Sequence, residues 1–530
     1  MFDIKIFGGT VVDGSGKEKF LGDIGIVGDR ITSIGDLSES GGHQEIDATG
    51  LAVLPGFIDT HSHADGVLLK EPQGIHSIRQ GVTSEILTQD GMGWAPLDPI
   101  SYQGHARYLA GILGDPPLDL DMSSISALRG HYDRKTGPNV AVLVPHGPVR
   151  LSVLGFTDAP MQGENLVKAQ KIIRKGLDEG AVGLSTGLSY YPQSYSDTEE
   201  LLGLCEPLKD LSRVYVTHVR NHNNERAKYG SGIDEALAIA RIAEVKVHIS
   251  HFMTRPTSAG QVKELMAPID EAKSMGADVT LECYPYAANA TIPGYFLRGE
   301  FHEGGIESLL QRLGQDDNRA EMIDSLRTLF PGALGQAAFT RMISEKNRSL
   351  TGFSFADVAS ERKLSIEEMI IEVMLEEQLA CGFRAIPPSS VSVTRQIESD
   401  VIELLGRDDY MLGSDGIPLL DGEGLPHPRA YGSFARVIGP LRRRHKVPIE
   451  ELTHRLTSLP AERFGLTDRG ILQEGAFADI VVLDDERVHD LASFEDPVNG
   501  PTGIEYVLVN GTPAVNQGIL TGDLAGRAIP

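Results

Sequence analysis

Hydrophobic positions along this chain follow two textures. Near the start, DIKIFGGTVVDGSG alternates apolar and polar residues and breaks at glycines, and GDIGIVGDRITSIG repeats the pattern. Period-two alternation bounded by glycine predicts hairpin strands. The stretch from 466 onward resumes that texture in GAFADIVVLD and GIEYVLVNGTPAV, where Asn510–Gly511 is a strong hairpin turn. Chain ends often lie close together, so residues 1–55 and 466–530 are expected to build one small β-sandwich domain.

Between these ends the texture changes. Eight short apolar runs read as strands: 51–59, 82–89, 139–146, 181–187, 214–219, 245–251, 278–286 and 410–416. Helical periodicity lies between several of them. In ENLVKAQKIIRKGLDEG, Leu166, Ala169, Ile172, Ile173 and Leu177 share one face before a glycine stop. Repeated strand–helix alternation predicts an α/β fold, a (β/α)₈ TIM-like barrel, over 56–465. The gap at 287–350 is too long for an ordinary loop and holds two helix-like segments. It reads as a helical insertion in the barrel and a candidate lid.

Composition narrows the partners. Asp and Glu number 74 against 48 Lys and Arg, a net charge of −26, and such a field repels phosphate backbones, so nucleic acid is not an expected partner. No apolar run reaches the ~18 residues needed to span a bilayer, and no basic segment leads into an apolar one at the N-terminus. The cysteines Cys205, Cys283 and Cys381 have no paired spacing, which fits a reducing, cytoplasmic setting.

Candidate chemistry collects at the C-terminal ends of the strands, where barrels of this kind place it. LPGFIDTHSHADG puts Asp59, His61 and His63 at alternate positions, so they share one face of an extended chain. The later strand ends carry Asp90, His146, Ser185 with Thr186, His218, His251, Tyr284 with Tyr286, and Asp415. A histidine after one strand is commonplace. Histidine or aspartate at so many ends of one barrel mouth is not. Imidazole nitrogen and carboxylate oxygen are zinc ligands, and a catalytic ion lowers the pKa of its water towards 7. Asp415, ending the last strand, suits proton transfer to a leaving nitrogen. These residues predict metal-assisted hydrolysis.

PGFIDTHSHADG, RQGVTSEIL, GAVGLSTGLSYYP, VYVTHVRN, HISH, ECYPY, LGSDG and HPRAYGSFARV occur in this order, and with them the chain resembles the amidohydrolase superfamily. More narrowly it is similar to the N-acyl-D-amino-acid deacylases, the D-aminoacylases. The resemblance implies a barrel with a β-sandwich, zinc as one or two ions, metal-ligand roles for His61, His63, His218 and His251, and general acid/base catalysis by Asp415, itself a candidate ligand. It implies hydrolysis of the amide of an N-acyl-D-amino acid by metal-bound hydroxide, giving a carboxylate and a free D-amino acid. The D preference comes from the resemblance alone. Those deacylases usually carry a cysteine in an Asn-Cys-Gly turn after strand 2. Here the turn reads TQDGMG, so Asp90 is expected either to replace the thiolate as a ligand or to cap the turn. The lysine that many amidohydrolases carry after strand 4 is absent from LSTG.

An N-acyl amino acid presents a carboxylate, which calls for arginine or several donors. The resemblance implies that role for Arg429, with Tyr284, Tyr286, Tyr190 and Tyr191 as further candidates for the pocket. His146 and Arg220 are candidates for a supporting layer, His222 is a weaker neighbour of Arg220, and His248 reads as structural because it faces away from His251 on a strand. A small-molecule substrate is the expected partner, with a homo-oligomer open. Two rival readings remain at this point. One is a cyclic-amide hydrolase of the hydantoinase or dihydroorotase type, which the absent lysine disfavours. The other is a metal-free scaffold, which four histidines and Asp415 disfavour.

Overall fold

The computed structural model describes residues 1–221, 224–330 and 332–530. The apolar runs of the middle region become strands buried on both faces, as a parallel sheet covered by helices requires. In chain order they are Phe57–Asp59, Val82–Leu87, Asn139–Val142 continuing as Val144–Pro145, Gly183–Gly187, Val214–His218, Lys246–Ile249, Val279–Cys283 and Tyr410–Leu412. All neighbours pair parallel, in two arcs that share the third strand. That strand is interrupted at Leu143, whose N–H donates to Thr88 Oγ1 at 2.8 Å.

The ring closes past the ends of its first and eighth strands. Ser62 and Gly416 form a parallel bridge. The Asp415 N–H donates to the His61 carbonyl at 2.8 Å, and the His63 N–H to the Gly416 carbonyl at 2.9 Å. Asp59 laces the same seam, its Oδ1 accepting from the N–H groups of His61 and Ser414. Residues alternate along each strand, one set meeting the helices and the other the interior. Ile58, Ile86, Ala141, Leu143, Val182, Val214, Val216 and Met411 form one interior cluster, closed by Phe464, Leu466 and Ile529. The chain's last residues thus plug the barrel floor, where Ile529 N–H donates to the Val140 carbonyl at 2.9 Å.

Both termini contribute to a nine-stranded sheet. Ala52–Pro55 lies between Phe2–Val11 and Ile480–Leu483, and its strands share a core of Ile4, Ile6, Ile24, Ile26, Val53, Ile480 and Val482. Ala52–Pro55 runs directly into the first barrel strand, so this sheet anchors the segment that carries His61 and His63.

Between the seventh and eighth barrel strands the chain leaves the ring. Helices Ile306–Leu313 and Asp316–Leu329 occupy part of 287–350, and a three-stranded antiparallel sheet accompanies them: Ala290–Thr291, Ala337–Arg341 and Gly382–Ala385. The excursion continues past 350 through helices Phe355–Arg362, Ile366–Glu376 and Val391–Leu405 before the eighth strand begins. Among the described residues, no helix is long and apolar enough to cross a membrane.

Candidate active site

The pattern around His61 and His63 carries into space. Both residues follow the first strand and are buried, and their Nε2 atoms lie 3.3 Å apart. Asp415 reaches the same point from the eighth strand, its Oδ1 3.3 Å from His63 Nε2 and 3.7 Å from His61 Nε2. From the fifth and sixth strands, His218 Nδ1 and His251 Nε2 approach to 2.9 Å.

Asp90 joins the two halves. Its Oδ1 lies 3.5 Å from His61 Nε2, and its Oδ2 lies 3.4 Å from His218 Nδ1, 3.7 Å from His63 Nε2 and 3.8 Å from His251 Nε2. The carboxylate therefore faces four imidazoles rather than turning back onto its own backbone. Left-handed backbone does this: Thr88 and Asp90 have φ of 58° and 54°. His251 and Asp415 are also left-handed, at 39° and 50°. Non-glycine residues rarely adopt such angles, and where they persist the surrounding fold holds them.

Gly187 of the LSTG stretch makes room for this turn. A Cβ there would stand 2.1 Å from the Asp90 carbonyl oxygen. Gln193 ties the two segments, accepting from Gly187 N–H at 2.7 Å and donating to the Asp90 carbonyl at 3.0 Å.

The charges around His61 are unbalanced. Burial opposes protonation of its ring, yet the carboxylates of Asp90 and Glu282 outweigh burial and lift the imidazole to about 10. Burial likewise works against an ionised Asp90, and the His61 and His218 imidazoles overcome it, holding the carboxyl well below its usual range. Burial opposes ionisation of Asp415 too, and the Arg429 guanidinium leads the groups that pull it down. Buried carboxylates meeting at imidazoles make a place for a cation.

Glu282 is not among the residues that strand-end position singles out, yet it belongs to the site. Its Oε1 lies 2.5 Å from His61 Nδ1 and its Oε2 lies 3.1 Å from His248 Nε2, and Thr60 Oγ1 donates to it. His248 Nδ1 in turn meets Thr280 Oγ1 at 2.8 Å. His248 is thus an interior residue supporting His61. His251 reaches the cluster by its left-handed turn, not by strand alternation. A carboxylate on the distal nitrogen of a ligand-type histidine fixes its tautomer and orientation. Alternation carries the signal for Glu282: Val279, Leu281 and Cys283 pack in the main core outside the ring, so Thr280 and Glu282 must face inward. Gly413 of LGSDG fits this group as well, since a Cβ there would stand 2.6 Å from Glu282 Oε2 and 2.8 Å from His61 Cβ.

A cavity of about 210 Å³ opens above the cluster, lined by His63, Asp90, His218, His251 and Asp415. Tyr190 and Tyr284 also line it. The remaining expected residues lie elsewhere. Tyr191 stacks on His302 at 4.2 Å, because the turn that brings Tyr190 inward sends its neighbour out. Tyr286 lies beyond the end of its strand, under Arg436 and edge-on to His427. His146 Nε2 meets Glu200 Oε1 at 3.1 Å within a buried network that includes Arg150. Arg220 bonds Glu235 and the carbonyls of Ser194 and Ser196, ordering their loop. Arg429 is buried outside the cavity lining, with Nη1 2.7 Å from Asp415 Oδ2 and its guanidinium over the Tyr284 ring. His222 lies outside the described residues.

The amidohydrolase family profile, Amidohydro_3, matches residues 44–322 and 404–515. This chain belongs to the amidohydrolase family. The unmatched 323–403 falls within the excursion between the seventh and eighth barrel strands. A D-aminoacylase of Alcaligenes xylosoxydans xylosoxydans is 32% identical over 544 residues, covering 100% of this chain and 97% of that protein. A crystal structure of N-acyl-D-glutamate deacylase from Bordetella bronchiseptica, complexed with zinc and a phosphonate mimic of the tetrahedral intermediate, superposes with a TM-score of 0.81. It is 28% identical and covers 100% of this chain and 99% of that one. A D-aminoacylase structure concerned with its binuclear metal centre gives a TM-score of 0.80 at 31% identity, covering 100% and 99%. In this family frame the cluster at the barrel mouth is the candidate active site. A larger groove of about 770 Å³, beside His76 and residues 419–424, holds no comparable cluster among the described residues.

Proposed function

We propose that this amidohydrolase cleaves the amide bond of N-acyl-D-amino acids, releasing a carboxylate and a free D-amino acid. The observation that carries the reading is the cluster of four imidazoles and two carboxylates at the cavity floor, in a chain similar over its full length to a D-aminoacylase and an N-acyl-D-glutamate deacylase.

The residues fit zinc. The donor set is nitrogen and carboxylate oxygen, the chemistry zinc prefers. Asp90 Oδ1 and His63 Nδ1 are buried without a hydrogen-bond partner. Two triads offer donors within reach of one ion, His61 with His63 and Asp415, and His61 with Asp90 and His251. His218 stands beside the second. These residues would hold one or two zinc ions, with Asp90 offering a carboxylate oxygen where the deacylases this chain resembles carry a thiolate. Zinc held there supplies Lewis acidity, polarising the amide carbonyl and easing ionisation of water.

The chain's own groups do the rest. Asp415, kept ionised beside Arg429, takes a proton from the attacking water and returns it to the departing nitrogen. The water oxygen bonds to the carbonyl carbon, the C–N bond breaks, and the amine leaves protonated. Glu282 orients His61 from behind. Tyr190 and Tyr284 present their rings and hydroxyls to the cavity. The three cysteines are free and buried, which supports a cytoplasmic setting.

The test is hydrolysis of paired N-acetyl-D- and N-acetyl-L-amino acids, with metal content measured on the same preparation. Turnover confined to the D series by a zinc-loaded protein supports the proposal. Zinc without turnover of either series, but with opening of hydantoin or dihydrouracil, transfers the site to the cyclic-amide reading. A protein that neither retains zinc nor takes it up overturns the metal assignment.

A further inference from the structure

An aspartate followed by glycine in a tight turn has two uses for its carboxylate. It can reach outward, or it can fold back and accept from the backbone N–H two residues on, as Asp-Gly turns commonly do. Asp90 in TQDGMG reaches outward. Its Oδ1 is buried without a hydrogen-bond partner and stands 3.5 Å from His61 Nε2. The nearest N–H groups ahead of it are already taken. Met92 N–H donates to the Gln89 carbonyl at 2.9 Å, and Gly91 N–H donates to Ser185 Oγ at 3.1 Å.

Ser185 belongs to the fourth barrel strand, Gly183–Gly187, and is fully buried. Its hydroxyl also donates to the Thr88 carbonyl at 2.5 Å. One side chain therefore spans the turn, meeting a backbone group two residues before Asp90 and another directly after it. Two more side chains complete the frame. Asp65 Oδ1 accepts from Thr88 N–H at 3.1 Å, and Gln193 Nε2 donates to the Asp90 carbonyl at 3.0 Å. The frame has strain to hold, since Thr88, Asp90 and Gly91 lie at φ of 58°, 54° and 60°. Left-handed backbone at non-glycine residues persists only where surrounding structure imposes it.

We infer that Ser185 and Gln193 are positioning residues for the metal site. By occupying Gly91 N–H and the Thr88 carbonyl, Ser185 denies Asp90 a cap of its own and leaves the carboxylate to a cation. Gln193 fixes the Asp90 carbonyl on the other side of the same residue. This rests on Asp90 as a zinc ligand and deepens that reading. It also gives the LSTG stretch, which carries no lysine, a part in the site: the fourth strand supplies the frame around a ligand instead of the ligand.

The experiment is a double-mutant cycle on zinc affinity, measured by competition with a chromophoric chelator for wild type, D90A, S185A and S185A/D90A. D90A is expected to weaken zinc binding, and S185A to weaken it about 10- to 100-fold, the range for losing a group that supports a ligand. In the D90A background S185A should add almost nothing, because its effect runs through Asp90. Equal losses from S185A in both backgrounds would show a merely structural role and overturn the inference, as would wild-type affinity in S185A. Should D90A itself leave the affinity unchanged, Asp90 is no ligand and the inference falls with that assignment. If S185A does not fold, Q193M takes its place in the cycle: a loss seen only when Asp90 is present upholds the inference, and equal losses overturn it. No substrate enters these measurements. A protein that passes the cycle yet leaves N-acetyl-D-amino acids intact loses the deacylase reading and keeps the positioning role.

Discussion

The two ends of the barrel are built from the same eight strands and could hardly differ more. At the floor, Ile58, Ile86, Val182, Val214, Val216 and Met411 meet Phe464, Leu466 and Ile529 in an apolar plug. At the mouth, four imidazoles and two aspartates crowd together, and Asp90, His251 and Asp415 are held at positive φ. The floor buries apolar surface at roughly 1.5–3 kcal/mol per large side chain. The mouth buries charge and left-handed backbone, each of which costs stability. The difference teaches that one end stabilises the ring so that the other can hold an arrangement no isolated segment would adopt.

Four perturbations would break or sharpen that contrast. The largest is metal removal. Chelation is expected to abolish hydrolysis, with recovery on adding zinc, followed by assaying activity beside metal content; full activity in the stripped protein would refute the metal assignment. Next, D415N should lower kcat by about 10²–10⁴-fold, the usual share of general acid–base catalysis. Its thermal midpoint should stay near wild type, as steady-state kinetics and calorimetry would show.

The mirror experiment is at the floor. F464A should destabilise the protein by about 3–5 kcal/mol while leaving kcat of the folded fraction close to wild type. Denaturant unfolding measures the first and activity per folded molecule the second; a kcat that fell with stability would show the two ends to be coupled. The smallest effect is expected from E282Q. It keeps the shape behind His61 and His248 and removes the charge, and should weaken metal affinity or activity by about 10- to 100-fold. Zinc competition assays would measure it, and an unchanged affinity would leave Glu282 with a packing role alone.

Much of this arrangement is legible in the sequence. Period-two and helical alternation mark out the barrel, and strand-end positions single out His61, His63, His218, His251 and Asp415, whose side chains converge at one mouth. Asp90 is legible as a substitution in a turn, but its reach is not. That depends on the left-handed angles of Thr88 and Asp90 and on the space left by Gly187. His248 has the structural place expected of it, but it faces the interior behind His61, because the strand ends at Ile249, before His251 turns back. Tyr191 and Tyr286 group with their neighbours in the sequence, although each lies past its strand, where alternation no longer holds.

What the sequence determined by itself was periodicity: which residues face in or out along each strand, and which chemical groups stand at strand ends. The tertiary structure decided which of those groups share a few ångströms. It paired Arg429 with Asp415, set Glu282 behind His61, and spanned the Asp90 turn with Ser185. The physical reason is the range of the constraints. Side-chain alternation follows from local backbone geometry, whereas the partners of a buried charge are chosen by closure of the ring and by loops that return from distant parts of the chain.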